Sequence, residues 1–423
     1  MSAHVDGARV QRELEELARF THVEPSSEGT AVTRVVFTDD DLAARTWLIG
    51  LAEAEGFAVR VDAVGNTFIR LEGADPSLAA VATGSHIDAI PHAGMYDGTV
   101  GVIGGLEALR AIKTSGVQPK RAVELILFTS EEPTRFGIGC LGSRLMAGTL
   151  SDVKAGGLID LTAAKGEAAK TLDEVRTAAG FTGALTSTRL LPGHYAEFVE
   201  LHIEQGPLLE RDGQDVGIVT SIAAPASYRF VIEGFGGHAG ALLMPDRRDA
   251  LCAASEVILA VERSALTLGT IDTVATVGTC GVYPGAVNSV PSKVALELDL
   301  RDTDPRRRGR VMDAIRSEIA AIETKRGVRI TETLVNEDVP AACGERIVGA
   351  ISGAAVAAGM SSRMMVSRAY HDTLFMAQIC PVGMIFIPCR GGVSHRPDEF
   401  ATVEGISHGT QLLTEVLTVL SSE

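Results

Sequence analysis

LAAVATGSHIDAIPHAGMYDGTVGVIGGLEALRAI, residues 78–112, is the stretch that decides the fold. It opens on Leu78–Thr83, a short apolar run that reads as a buried strand. It closes on Gly98–Ile112, where Val102, Leu106, Leu109 and Ile112 recur at helical spacing and the pattern stops near Gly116. Between the two lie Gly84-Ser85-His86-Ile87-Asp88 and Tyr96-Asp97-Gly98. Strand, polar loop and helix in that order form the repeating unit of an α/β sheet, and open α/β sheets bind ligands beyond the carboxyl ends of their strands.

Working outward, Val123–Phe128, Phe198–Ile203 and Val382–Pro388 read as further strands of this sheet, and Val403–Leu420 as a closing helix. Upstream, Val10, Leu14, Leu17 and Phe20 mark a helix. Leu42, Trp47, Leu48 and Leu51 mark a second, starting after Asp39-Asp40-Asp41, acidic residues suited to a helix N-terminus. Phe57–Val61 and Thr67–Leu71 are strand candidates split by the turn signal Gly65-Asn66. The class is α/β: a mostly parallel sheet with helices on both faces.

Residues 216–333 have a different texture. Tyr228–Glu233 and Thr273–Thr279 read as strands, and Arg247–Leu266 as an amphipathic helix. In Lys293–Leu300, Val294, Leu296, Leu298 and Leu300 alternate with Lys293, Glu297 and Asp299, so one face of that sheet is buried and the other solvated or covered by a partner. Val311, Ile315, Ile319 and Ile322 make a second amphipathic helix. The organisation predicted is a discontinuous domain, 1–215 and 334–423, interrupted by a small α+β insert at 216–333.

The 423 residues are 46% apolar and 22% charged, enough for more than one packed core. Lys+Arg 38 against Asp+Glu 54 gives −16, which argues against a phosphate-backbone binder and for a solvated acidic surface. No run of eighteen apolar residues predicts a membrane span. Met1–Gly7 lacks a basic and an apolar signal region, and the six scattered cysteines contain no CxxC, so the expected setting is a reducing cytoplasm.

Four clusters carry candidate chemistry. His86 ends the first strand, with Asp88 placed to hold its other ring nitrogen and Asp97 opening the next helix; the plain alternative is backbone capping. Glu131 and Glu132 follow the strand Val123–Phe128, where one could ligate a metal while the other handles protons. Glu200, His202 and Glu204 share a strand face just before Gln205. Gly391-Gly392-Val393-Ser394-His395 follows the last strand. Nitrogen plus carboxylate ligation suits zinc, manganese, cobalt or nickel, and five such ligands with a spare carboxylate fit a two-metal hydrolytic centre. His4, His22, His92, His194 and His408 read as solvent or capping residues without partners. His371 reads as a substrate contact beside Tyr370, or as a structural pair with Asp372. In the insert, His238 sits in a glycine-rich loop, and Asn288 and Arg301 offer an amide and a guanidinium suited to a carboxylate.

With these blocks in hand, the sequence resembles the metal-dependent hydantoinase/carbamoylase amidohydrolases, relatives of the di-zinc exopeptidases. The matching blocks are GSHIDAIPHAGMYDGTVGVIGGLEAL, FTSEEPTRFGIGCLGSRLMAG, ELHIEQGPLLE, GGHAG, PGAVNSVPSK, DLRD and GGVSHRPDEF, spread over residues 84–400 in family order. The resemblance implies that His86, Asp97, Glu132, His202 and His395 bind two divalent ions, Asp97 bridging. It implies that Glu131 is the general base, with Asp88 and His238 assisting catalysis. It also implies substrate contacts from His238, Asn288, Arg301, Gln205, Tyr370 and His371. The insert would form a homodimer in which the GGHAG histidine completes a neighbouring site. EEPTRFGI, GHAGALLMP, SRAYHD and MIFIPCRGG are similar to the ureidoglycolate amidohydrolase branch. The expected substrate is thus a small anionic ureido compound, with N-carbamoyl-L-amino acids, N-carbamoyl-β-alanine and allantoate as alternatives. Other rivals are a peptidase using the same centre and an inactive binding homologue.

Overall fold

The structure is a computed structural model describing residues 3–24, 26–164 and 166–423. It divides into two compact units: Met1–Thr220 with Ala342–Met365 and His371–Glu423, and Ser221–Ala341 with Val366–Tyr370.

The first unit is built on a nine-stranded sheet. Its order is Ala341–Ala342, Val216–Ile222, Val382–Ile387, Tyr195–Ile203, Ala80–His86, Val123–Phe128, Thr67–Leu71 and Ala58–Val61, with Ser362–Ser367 pairing to Val216–Ile222. The four central strands are parallel. Antiparallel strands flank them on both sides. All six residues of Val123–Phe128 are buried, as expected where helices cover both faces. Val123, Leu125 and Leu127 join the core beneath the helices Thr99–Thr114 and Val403–Ser421. Ile126 and Phe128 pack on the other face with Met146 and Met376, from the short helices Leu141–Ala147 and Asp372–Met376.

Several boundaries differ from the sequence reading. The first core strand runs Ala80–His86, starting later than Leu78, although it ends on His86 as read. The second helix begins at Asp39, not after Asp41, because the Thr38 side chain accepts the Asp41 amide and caps it. A small antiparallel pair, Val32–Arg34 with Ala89–Ala93, has no counterpart in the periodicity, since three residues are too few to show alternation. Among the described residues no helix is long and apolar enough to cross a membrane.

The second unit holds a four-stranded antiparallel sheet, ordered Val274–Tyr283, Lys293–Asp302, Ala224–Glu233 and Arg329–Glu337. Val294, Leu296, Leu298 and Leu300 are buried against the helices Ala250–Leu268 and Pro305–Arg326. Tyr228, Phe230 and Ile232 of the neighbouring strand join the same layer.

Parallel strands place their carboxyl ends on one edge. His86 pairs in register with Phe128, and His202 with Phe386, so the loops after all four central strands leave the sheet together.

Candidate active site

His86 is held by the turn that follows it. Its Nδ1 donates to the Asp88 backbone carbonyl at 3.0 Å. The Asp88 carboxylate, expected to hold that nitrogen, lies 3.7 Å away. It accepts instead the amides of Glu131 (3.2 Å) and Glu132 (3.0 Å). The reason is local: these amides have left the sheet ladder and need an acceptor, while the turn brings a carbonyl to the ring. Burial pushes Asp88 up to about 6. His202 repeats the pattern, with Nδ1 donating to the Ile203 carbonyl at 2.9 Å. Both rings therefore carry their proton on Nδ1 and present a bare Nε2.

Those Nε2 atoms converge on Asp97. Asp97 Oδ1 lies 3.2 Å from His202 Nε2 and 3.6 Å from His86 Nε2. Its Oδ2 lies 3.4 Å from His395 Nε2, which is 3.1 Å from Glu132 Oε1. Gly98 makes the approach possible. It has φ +69°, and a Cβ there would sit 2.4 Å from His86 Nε2. Its amide donates to His202 Nε2 at 3.1 Å.

Electrostatics follow from this packing. Burial alone would raise Asp97, but the imidazoles of His202, His395 and His86 packed against it hold it well below the carboxylate range. Hydrogen bonds to Asp97 and Glu132 push His395 up to about 11. Burial works against a charged His86, yet Glu131 and the two aspartates outweigh it and raise that imidazole. The carboxylates thus demand positive charge at the point the three Nε2 atoms face, and a divalent cation would supply it while accepting the bare nitrogen lone pairs as ligands. His86, Asp97 and His202 form one candidate metal-ligand group; Glu200, His202 and His371 form another.

Glu131 stands beside this cluster, its Oε2 3.8 Å from His86 Nε2. Burial raises it well above the usual range; His86 opposes the shift, while the charges of Glu132, Asp372 and Asp88 add to it. A carboxylate so placed is suited to take and return a proton near neutral pH. Backbone strain gathers nearby: Ser130 (φ 57°), Cys140 (φ 55°), Gln205 (φ 53°) and His395 (φ 60°) are non-glycine residues in the left-handed region.

The other anticipated residues fall in distinct places. Gln205 Nε2 donates to Asp97 Oδ2 at 2.6 Å, and its Oε1 is buried with no hydrogen-bond partner. Glu204 turns away to cap the helix Leu208–Asp212 through the Leu208 and Leu209 amides. His371 is buried with its ring centroid 4.5 Å from that of His202. The Asp372 carboxylate takes the Ser143 hydroxyl at 2.5 Å. In the second unit, His238 and Ser289 pair across a short bridge, and the Asn288 carbonyl accepts the Ala239 amide. Arg301 forks onto Asp299 at 2.9 and 2.8 Å and lies over the Tyr370 ring at 5.3 Å. Two histidines read as partnerless are not so: His22 meets Asp40 at 2.8 Å and His408 meets Asp215 at 3.6 Å.

Sequence reasoning missed the residues that hold Asp97. Glu399 Oε1 accepts the Tyr96 and Asp97 amides at 2.8 and 3.0 Å. Ser394 Oγ bridges Asp97 (2.5 Å) and Glu399 (2.9 Å). Burial and the Asp97 charge push Glu399 up to about 7. Glu200 was read as a face residue only; it holds Ser85 and Thr373 behind His202.

Comparison with known proteins adds an independent line. The family model for peptidase family M20/M25/M40 matches residues 82–419. The ureidoglycolate hydrolase of Arabidopsis thaliana is 48% identical, the alignment covering 99% of this chain and 88% of that one. The solved structure of AtUAH in complex with (S)-hydroxyglycine matches with TM-score 0.89 at 47% identity, covering 100% and 99% of the two chains. An amidase of the hydantoinase/carbamoylase family from Burkholderia multivorans matches with TM-score 0.87 at 32% identity, covering 100% and 99%.

Proposed function

This chain belongs to peptidase family M20/M25/M40, and from that premise we propose that it is a metal-dependent amidohydrolase cleaving the C–N bond of a small anionic ureido substrate, ureidoglycolate. One observation carries the reading: three imidazoles gather around Asp97 with the Glu132 carboxylate on one of them and Glu131 alongside, in a chain 48% identical to a ureidoglycolate hydrolase.

His86, Asp97, Glu132, His202 and His395 would hold two divalent ions, zinc or manganese with cobalt and nickel as alternatives, Asp97 being shared. Bound there, the ions supply Lewis acidity to the ureido carbonyl and lower the pKa of water. Glu131 takes a proton from the attacking water and returns it to the departing nitrogen. The water oxygen becomes bonded to the ureido carbon as the C–N bond breaks, leaving carbamate and hydroxyglycine. (S)-hydroxyglycine is the ligand in the solved structure of AtUAH. Asp88 keeps the Glu131 and Glu132 amides in place.

Gln205 Oε1, buried without a partner, suits a substrate N–H. Asn288 and Arg301 hold the substrate carboxylate, with Tyr370 stacked on the guanidinium. His238 stabilises charge developing on the carbonyl oxygen. His371 orients His202 through ring packing. The inserted unit is assigned to homodimer formation, and the setting to the cytoplasm.

The test is ammonia release after chelation and reconstitution with manganese, zinc, cobalt or nickel. Ureidoglycolate should give the highest kcat/KM and the stripped protein none. Faster turnover of allantoate, N-carbamoyl-β-alanine or an N-carbamoyl-L-amino acid would replace the substrate, and silence on all four would end the ureido-hydrolase reading.

A further inference from the structure

We propose that Cys140 is a positioning residue for Glu131: its thiol anchors one carboxylate oxygen so that the other faces the reacting water. This rests on Glu131 being the general base. The Cys140 Sγ donates to Glu131 Oε1 at 3.3 Å, while Oε2 is the oxygen that faces His86 Nε2 at 3.8 Å. The two oxygens therefore have different surroundings, and the thiol is what distinguishes them. The terminal torsion of a glutamate is broad and two-fold, so burial alone leaves the carboxylate plane unspecified.

The backbone is arranged for this contact. The amides of Cys140, Leu141 and Gly142 donate in turn to the carbonyls of Glu131 (2.7 Å), Ser130 (2.9 Å) and Thr129 (2.9 Å). Cys140 thus grips Glu131 twice, once at its carbonyl and once at its carboxylate. It does so at φ 55°, fully buried, in a conformation that glycine adopts at less cost. A side chain kept there despite strain has a contact to make, and Glu131 provides it. A hydroxyl at the same position also donates to that oxygen, so a serine keeps the anchor that the thiol provides.

The experiment uses the full-length, metal-loaded protein and whichever C–N substrate the wild type turns over, so failure of the ureidoglycolate reading leaves it intact. Cys140→Ala should lower kcat by about three- to tenfold, with KM and metal content unchanged. Cys140→Ser, which restores a donor, should bring kcat back to within about twofold. In a Glu131→Gln background, adding Cys140→Ala should cause no further loss, because the group being oriented is gone. Should Cys140→Ala prove unstable, Cys140→Gly fits the same backbone and replaces it. Unchanged kcat in Cys140→Ala, equal loss in the serine variant, or the same proportional loss in the Glu131→Gln background would overturn the proposal. Full activity in Glu131→Gln alone would remove the base assignment and this inference with it.

Discussion

The nine-stranded sheet buries a cluster of titratable groups beyond the carboxyl ends of its parallel strands, whereas the four-stranded sheet spreads its charges over an open face. His86, Asp97 and His202 have side chains at most 8% exposed. Arg229 and Glu297, a cross-strand pair on the side opposite the helices, are 54% and 46% exposed. The first arrangement makes each charge depend on its neighbours, so pKa values move and backbone strain is tolerated. The second leaves charges screened by water and individually weak. Part of the burial that is costly for stability thus lies where chemistry is proposed.

Three substitutions sharpen this contrast. The largest effect belongs to Glu131→Gln, expected to lower kcat by about 10²–10⁴-fold while metal content, measured by elemental analysis, stays at the wild-type level. Turnover near wild type would show that another group moves the proton. Next comes Phe230→Ala in the core of the second unit, which should cost about 3–5 kcal/mol in calorimetric or denaturant unfolding, because a fully buried ring leaves a cavity. A loss comparable to that of a surface change would mean this core is looser than its burial suggests. The smallest is Arg229→Ala, which should shift stability by less than about 1 kcal/mol, and less still in high salt. A larger, salt-independent loss would show that the open face is covered by a partner.

Much of the first unit was legible because its signals are local. Val123–Phe128 and Thr67–Leu71 announce themselves as apolar runs, and their observed bounds coincide with the reading. His86, Glu131, Glu132 and His202 stand out as polar residues at the ends of such runs. The alternation in Lys293–Leu300 likewise fixes which face of the second sheet is buried. Glu399 and Cys140 were not legible. Glu399 acts on an amide 302 residues away, and nothing in its own neighbourhood distinguishes it from a surface acid. Cys140 is one of six scattered cysteines in the sequence, and only the turn places it against Glu131. Asp88 lies beside His86, yet its backbone carbonyl holds the ring nitrogen expected to meet its carboxylate, which takes the Glu131 and Glu132 amides instead.

The sequence by itself determined which residues could bear charge and metal, and that they follow strands whose ends lie on one edge, because hydrophobic periodicity is a property of adjacent residues. Only the tertiary structure decided how those groups are oriented: which ring nitrogen is bare, which carboxylate oxygen is anchored, and which distant acid holds the loop of Asp97. Orientation depends on hydrogen bonds between segments hundreds of residues apart, and those bonds exist only once the sheet has brought the loops together.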